Sequence, residues 1–404
     1  MTGIGAFRFL SSKNITVSGF IDSDPAFKDI KLKKLSIFDP TELSTNLKNH
    51  NEQINIVIAV SLKESEILKL IGKFFSIQNV NLFNFSNENT LFHTVDIVGS
   101  CNLKCPTCPQ SFKTNVPKGL MSFQNYKNVL QKIIKNNEIV SHICFYSWGE
   151  PLLHNELDKF IKLTHKKNIA VAISTNLSIR FEDRIQKLIM AEPDIIKISL
   201  SGFYKEAYDK THTGGDINLV KSNLYKLKYL IDRYKKDILV DINYHKYIDN
   251  SGKNLKKFKE LAKELNFMLS ETYALIMPLE RVIEYKKNPK LKDTLEIEKN
   301  LLVGIDDGIN ASKDEKFNIS NCPFKKNQIN INADMTVPVC CLTFNREKSI
   351  VSNDFLKDDY EKINENKEKS KICVECIKFD LPQYNMGLNK KKWDAIADKK
   401  IILD

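Results

Sequence analysis

Three cysteines, Cys101, Cys105 and Cys108, stand in the run GSCNLKCPTCPQ with the spacing Cys-x3-Cys-x2-Cys. Thiolates are the usual ligands of iron–sulfur clusters. This spacing offers three of them to one [4Fe–4S] cluster and leaves its fourth iron without a protein ligand, open to a small molecule. Taken alone, the triplet also reads as buried core thiols or as part of a zinc site.

A second set lies far downstream: Cys322, Cys340 or Cys341, Cys373 and Cys376, in CPFKKNQININADMTVPVCC and CVEC. ININADMTVPVCC reads as a hairpin, two strands about a tight turn at 333–336, which brings Cys340 back towards Cys322. Zinc satisfies four thiolates as well as an iron–sulfur cluster does. Cys144 reads as a buried core thiol. The remaining polar candidates are the turn WGEP with Gly149, Glu150 and Pro151, then STN (174–176), SLSG (199–202), HTGGD (212–216) and the pair Tyr244 and His245. A carboxylate in a Gly-Pro turn is a natural acceptor for a cation. Small polar residues at strand ends either line a pocket or cap the next helix.

Six strand-like runs separated by amphipathic helices must position these groups: 92–98, 142–147, 169–175, 194–201, 238–244 and 266–273. One helix carries Tyr126, Val129, Leu130, Ile133 and Ile134 on a single face. A later one carries Val220, Leu224, Leu227 and Ile231. Six β-α units in under two hundred residues predict an α/β partial barrel whose site lies at the C-terminal strand ends, where the triplet, WGEP, STN and SLSG all fall. Upstream, residues 1–88 read as a small α/β unit with a parallel sheet, followed by a linker at 86–90. Downstream of 280 the pattern is less regular, with 286–316 reading as a charged, turn-rich connector.

The cysteine triplet directly after the first barrel strand, with GEP after the second, resembles the radical S-adenosylmethionine (SAM) superfamily. That resemblance implies a partial (β/α)6 barrel over 91–280. It implies that Cys101, Cys105 and Cys108 hold a [4Fe–4S] cluster whose open iron is chelated by SAM. Reductive cleavage of SAM then gives a 5′-deoxyadenosyl radical that abstracts hydrogen from substrate. It further implies SAM contacts from Gly149, Glu150, Pro151, Ser174, Asn176, Ser199 and Ser201. Thr107 stands where the family usually has an aromatic residue. The later cysteines resemble a SPASM/twitch extension over 281–404, which implies an auxiliary [4Fe–4S] cluster on Cys322, Cys340, Cys373 and Cys376, with family spacing favouring Cys340 over Cys341 and zinc as the rival occupant.

TGIGAF (2–7) followed by VSGFIDSDP (17–25) resembles a Rossmann-like domain of sugar-nucleotide-associated proteins. Gly3, Gly5 and Asp22 fit its phosphate turn and acidic strand end. Arg8 replaces the third glycine, and the strand before the turn is lacking.

Composition bounds the remaining classes. With 404 residues, 42% apolar and 27% charged, the chain reads as a soluble protein of two or three domains. No apolar run approaches membrane-spanning length, and no leader pattern opens the chain. Clustered cysteines without such a leader fit metal ligation in a reducing cytoplasm. The net charge of +11 is carried by dispersed lysines rather than a nucleic-acid motif. Within these bounds, the resemblances imply a cytoplasmic enzyme that takes SAM, an electron donor, and a sugar or other small metabolite. A peptide-modifying maturase and a non-catalytic iron–sulfur or zinc protein are the alternative readings.

Overall fold

The computed structural model describes residues 1–24, 27, 30–47, 53–59, 64–74, 80–85, 92–111, 119–313 and 322–401. Its first element is the helix Thr2–Ser12, where the sequence predicts a phosphate turn. Gly5 is needed there for packing: a Cβ would sit 2.2 Å from Ser141 Oγ. The helix thus lies directly on the backbone that enters the barrel, and Gly3 faces the Phe20 ring. Arg8 donates to Asp194 at 2.8 Å, and Asp194 also receives Lys33 at 2.7 Å and His165 at 3.0 Å. These contacts clamp the helix to the N-terminal strand ends, away from the predicted site.

The rest of the first block forms two small sheets rather than the single one expected. Strands β1 (Phe20–Ile21), β2 (Lys31–Leu32) and β3 (Leu35–Phe38) make one, in the order β1-β3-β2. A parallel pair, β4 (Ile54–Ile58) and β5 (Val80–Asn84), makes the other, with the helix Glu64–Phe74 between them in sequence. Asp22 does follow β1 directly, its carboxylate accepting the Asp24 N–H at 2.9 Å. The predicted linker at 86–90 lies outside the described residues.

The centre of the molecule is a seven-stranded parallel sheet. Six of its strands are those predicted: β6 (Phe92–Val95), β7 (His142–Cys144), β8 (Ala170–Thr175), β9 (Ile195–Leu200), β10 (Leu239–Lys246) and β11 (Met268–Tyr273). They neighbour one another in chain order, as β-α repeats require, and form an α/β partial barrel. The seventh, β12 (Gln328–Ile331), comes from the third block and pairs parallel with β6.

Alternation decides which face is buried under helices. Val95, Ile143, Val171, Ile173, Ile196, Ile198, Ile242, Ile329 and Ile331 share one apolar core with the flanking helices. Each such side chain contributes roughly 1.5–3 kcal/mol by leaving water. Residues one position away line the opposite, inner face: Thr94, Cys144, Ser174, Lys197, Ser199, Asn243, His245, Gln328 and Asn330. The helix Phe123–Asn136, capped by Ser122, buries Tyr126, Val129, Leu130 and Ile133, while Ile134 turns outwards. In the later helix, Ile217–Arg233, Asp216 caps through the Asn218 and Leu219 N–H groups.

The third block corrects two expectations. Residues 286–316 are predicted as a connector, yet 279–312 carry the helices Leu279–Lys287, Lys292–Glu298 and Ile305–Ser312. Most of their charges lie on solvated faces, with Glu280 buried where it accepts the Phe344 and Asn345 N–H groups, while Val282, Ile305 and Ile309 pack with Tyr384 and Trp393 in a second core. The predicted hairpin keeps its turn, with the Asn332 N–H donating to Thr336 O at 2.9 Å and Met335 at a φ of 69°. The strands on either side of that turn part company, however. β12 joins the main sheet, and β13 (Val337–Pro338) pairs with β14 (Ile350–Ser352). No helix among the described residues is long and apolar enough to cross a membrane.

Candidate active site

The loop after β6 carries Cys101, Cys105 and Cys108, all half-buried. Two donors reach Cys101 Sγ: the Leu103 N–H at 3.4 Å and the Asn176 side-chain amide at 3.6 Å. Asn176 also donates to Asn102 Oδ1, and Asn102 donates to Ser178 O at 2.9 Å. The Lys104 N–H donates to Thr213 O, tying the loop to the HTGGD segment. Thr107 meets the Tyr247 hydroxyl at 3.1 Å. Burial pushes the three thiols up, Cys101 to about 12 and Cys108 to about 11; Cys101 also feels Cys108, and Cys105 feels both of the others. Such thiols ionise when a metal takes the proton's place. Three mutually adjacent thiols on one strand-end loop are a donor set that an iron–sulfur cluster fits.

WGEP packs against this loop. A Cβ on Gly149 would lie 1.6 Å from Val98 O, so only glycine permits the approach. Asp96 accepts from the Trp148 and Gly149 N–H groups at 3.1 and 3.2 Å. Glu150 accepts from the Thr175 hydroxyl, the Asn176 N–H and the Leu152 N–H. Burial raises Asp96 and Glu150 each to about 7 against those donors. The Glu150 carboxylate therefore braces β7 to β8 and has about one acceptor position left for a ligand. Pro151 begins the single turn that follows.

The other residues predicted for SAM divide into two groups. Ser174 and Ser199 are half-buried inner-face neighbours, their hydroxyls 3.4 Å apart. Ser201 is fully buried and bonded to Thr211 and to His212 Nδ1, both at 2.8 Å. His212 stacks on Tyr208 and meets Ser199 O, and burial lowers it to about 3. The HTGGD segment is thus a structural lock, with Gly214 in the left-handed region at φ 90°. Tyr244 points into the helix-packed core, its hydroxyl donating to Asn250 O, whereas His245 lies on the inner face. Cys144 occupies that inner face too, within electrostatic range of Lys197.

In the third block, Cys373 and Cys376 sit one turn apart on the helix Lys371–Lys378. Cys340 lies within electrostatic range of both, and Cys322 within range of Cys373 and Cys376. Cys341 is also near Cys322, but it faces Cys144 across the inner side of the barrel. Cys340 thus shares an electrostatic neighbourhood with Cys373 and Cys376, and Cys341 with Cys322. Among the described residues, no three His, Cys, Asp or Glu side chains are gathered tightly enough to hold a single metal ion.

Residues 95–250 match the Radical SAM superfamily model. This segment is a radical SAM domain. Such a domain implies SAM and a [4Fe–4S] cluster, and it is the catalytic core of an enzyme. The chain is 29% identical over 246 residues to an uncharacterized protein of Methanocaldococcus jannaschii, covering 60% of this chain and 74% of that one. It is 32% identical over 134 residues to a probable GTP 3′,8-cyclase of Methanococcus maripaludis, covering 33% of this chain and 43% of the relative. The chain thus matches less than half the length of that cyclase. Among solved structures it is similar to native anSMEcpe with bound AdoMet, at 16% identity and a TM-score of 0.48, covering 76% of this chain and 97% of that one.

Several residues of the radical SAM domain's surroundings escaped the sequence. Asp96 sits inside a run that reads as strand, and nothing in its spacing links it to Gly149. Asn102 lies within the cysteine motif as filler. Gln328 and Asn330 read as one arm of a hairpin, and their inner-face position follows only from the pairing of β12 with β6.

Proposed function

We propose that the chain is a radical SAM enzyme acting on a sugar or other small polar metabolite. Cys101, Cys105 and Cys108 hold its SAM-binding [4Fe–4S] cluster, and Cys322, Cys340, Cys373 and Cys376 hold an auxiliary one over 281–404. The observation that carries the reading is the half-buried three-thiol loop at the end of β6, with Asn176, the residue after β8, donating to Cys101. Bound there, the cluster and SAM supply a one-electron reductive cleavage that starts hydrogen abstraction from substrate.

The chain's own residues position and enclose. The Leu103 N–H and the Asn176 amide stabilise charge on Cys101 sulfur. Glu150 ties the turn after β7 to the end of β8, and its remaining acceptor position together with the Gly149–Pro151 carbonyls would hold the SAM amino group. Ser174 and Ser199, their hydroxyls 3.4 Å apart on the inner face, would meet SAM there, whereas Ser201 is committed to His212. The polar inner face, with Lys197, Asn243, His245, Gln328 and Asn330, suits a substrate rich in hydrogen-bonding groups. A relative named for a GTP cyclase supports a small-molecule substrate. Likeness of the first block to sugar-associated proteins does not, because its phosphate turn is a helix.

Anaerobic reconstitution followed by dithionite and SAM tests the reading. About eight irons per chain and release of 5′-deoxyadenosine are expected. Cys105→Ala should abolish deoxyadenosine formation and keep about four irons. Persistent SAM cleavage in that variant would overturn the assignment of the catalytic cysteines.

A further inference from the structure

Lys367 is a buried charge without a carboxylate. It stands on the helix Tyr360–Glu368 with 1% of its surface exposed. Its ammonium donates to Gln328 O at 2.6 Å and to Lys325 O at 3.2 Å. Those carbonyls use two of its three N–H groups. Among the described residues no Asp or Glu pairs with it, whereas its neighbour Lys325 is paired with Glu368. What Lys367 faces instead is Cys340, Cys373 and Cys341, all within electrostatic range.

An ammonium taken out of water costs several kcal/mol unless an anion compensates it. Carbonyl dipoles orient the group but leave its unit charge in place. Four metal-bound thiolates carry a net negative charge, and two of the four, Cys340 and Cys373, lie within electrostatic range of this ammonium, which is also held by Lys325 O three residues from Cys322. We propose that Lys367 is the counter-charge of the thiolate centre formed by Cys322, Cys340, Cys373 and Cys376, a positioning residue that sets how readily that centre accepts an electron. This rests on the reading of those four cysteines as metal ligands. A positive charge beside a cluster favours its reduced, more negative state. Removing the charge therefore makes reduction harder. Because Lys367 also holds Gln328 of β12, the same side chain ties the centre to the edge of the barrel.

The test is a redox titration of the reconstituted full chain followed by electron paramagnetic resonance. The auxiliary signal is identified as the one that survives in Cys105→Ala. Lys367→Gln keeps a donor for the two carbonyls and loses the charge, Lys367→Met loses both, and Lys367→Arg keeps the charge. At a given potential, reduction of the auxiliary centre should fall at least tenfold in the Gln and Met variants, a shift of about 59 mV for one electron. The Arg variant should stay close to wild type. An unchanged potential in either neutral variant that folds overturns the proposal and leaves the auxiliary cluster standing. If wild type holds zinc at this site, the cluster reading fails. Lys367 is then judged by zinc loss to a chelator, with tenfold faster loss in Lys367→Gln supporting the counter-charge and equal loss overturning it. No metal on the four cysteines overturns both readings.

Discussion

Asn176 carries two duties through one side chain. Its Oδ1 accepts the Ser178 N–H at 2.8 Å and its amide donates to Asn102 and Cys101. The residue type at the end of β8 was legible as polar and pocket-facing. Its partner was not, because a strand-end Asn has no spacing relation to a cysteine 75 positions away. Asn176→Ala should cost about 1 kcal/mol of stability through the lost hydrogen bonds. Reconstituted Asn176→Ala should also release catalytic iron to a chelator several-fold faster than wild type. Equal release rates would show that the contact with Cys101 does nothing for cluster retention. Gly149 makes a harder demand. Gly149→Ala drives a methyl into Val98 O, and a loss above about 4 kcal/mol or outright insolubility is expected. A wild-type denaturation midpoint for that variant would contradict the close approach. GEP was visible as a motif, but the reason for its glycine is a neighbouring strand that no local reading supplies.

Elements are where the sequence misled most. Residues 2–12 contain two glycines two positions apart, which suggests a phosphate turn, yet tertiary contacts override that local preference. Ile4 packs on Ala170 and Ile195, and Arg8 reaches Asp194. Burial alone would raise the Asp194 carboxyl. The His165 hydrogen bond and the Lys33 and Arg8 charges outweigh it and hold the group well below the usual carboxylate range. The sign follows from linkage. A depressed carboxyl contributes stability above its unfolded value near 4, and that contribution drains away as pH falls towards the folded value. Asp194→Asn should therefore lose on the order of 3 kcal/mol at pH 7 and show a flatter decline below about pH 4 than wild type. Urea midpoints of both proteins at pH 7 and pH 3.5 measure this. Parallel curves would remove Asp194 as the clamp. By contrast, β6 to β11 were readable because each pairs with its chain neighbour, so local apolar runs and global order agree.

At the scale of the whole molecule, β12 is the element that makes one body of the barrel and the cysteine-rich block. Its sequence alternates Ile with Gln and Asn, a pattern that announces a half-buried strand and says nothing about its partner. Pairing with β6 puts Ile329 and Ile331 into the barrel's apolar core and Gln328 beside Thr94. The three-block division read from the sequence is therefore porous: the third block supplies a strand to the second. A chain ended at residue 313 would leave the β6 edge unpaired and is expected to aggregate rather than persist as a free-standing barrel, as size-exclusion chromatography would report. A soluble monomer with native-like circular dichroism would show that β12 is dispensable.

That pairing also has a consequence in time. The two partners lie some 236 residues apart, and ribosomes add about 5–20 residues per second. The first barrel strand must wait on the order of ten to fifty seconds after it emerges before its outer neighbour exists. During synthesis the nascent chain bears a bare, apolar-backed edge, with the cysteine triplet already exposed beyond it. Slowing translation between the two strands should lengthen its dependence on chaperones, while codon changes after residue 331 should leave that dependence alone.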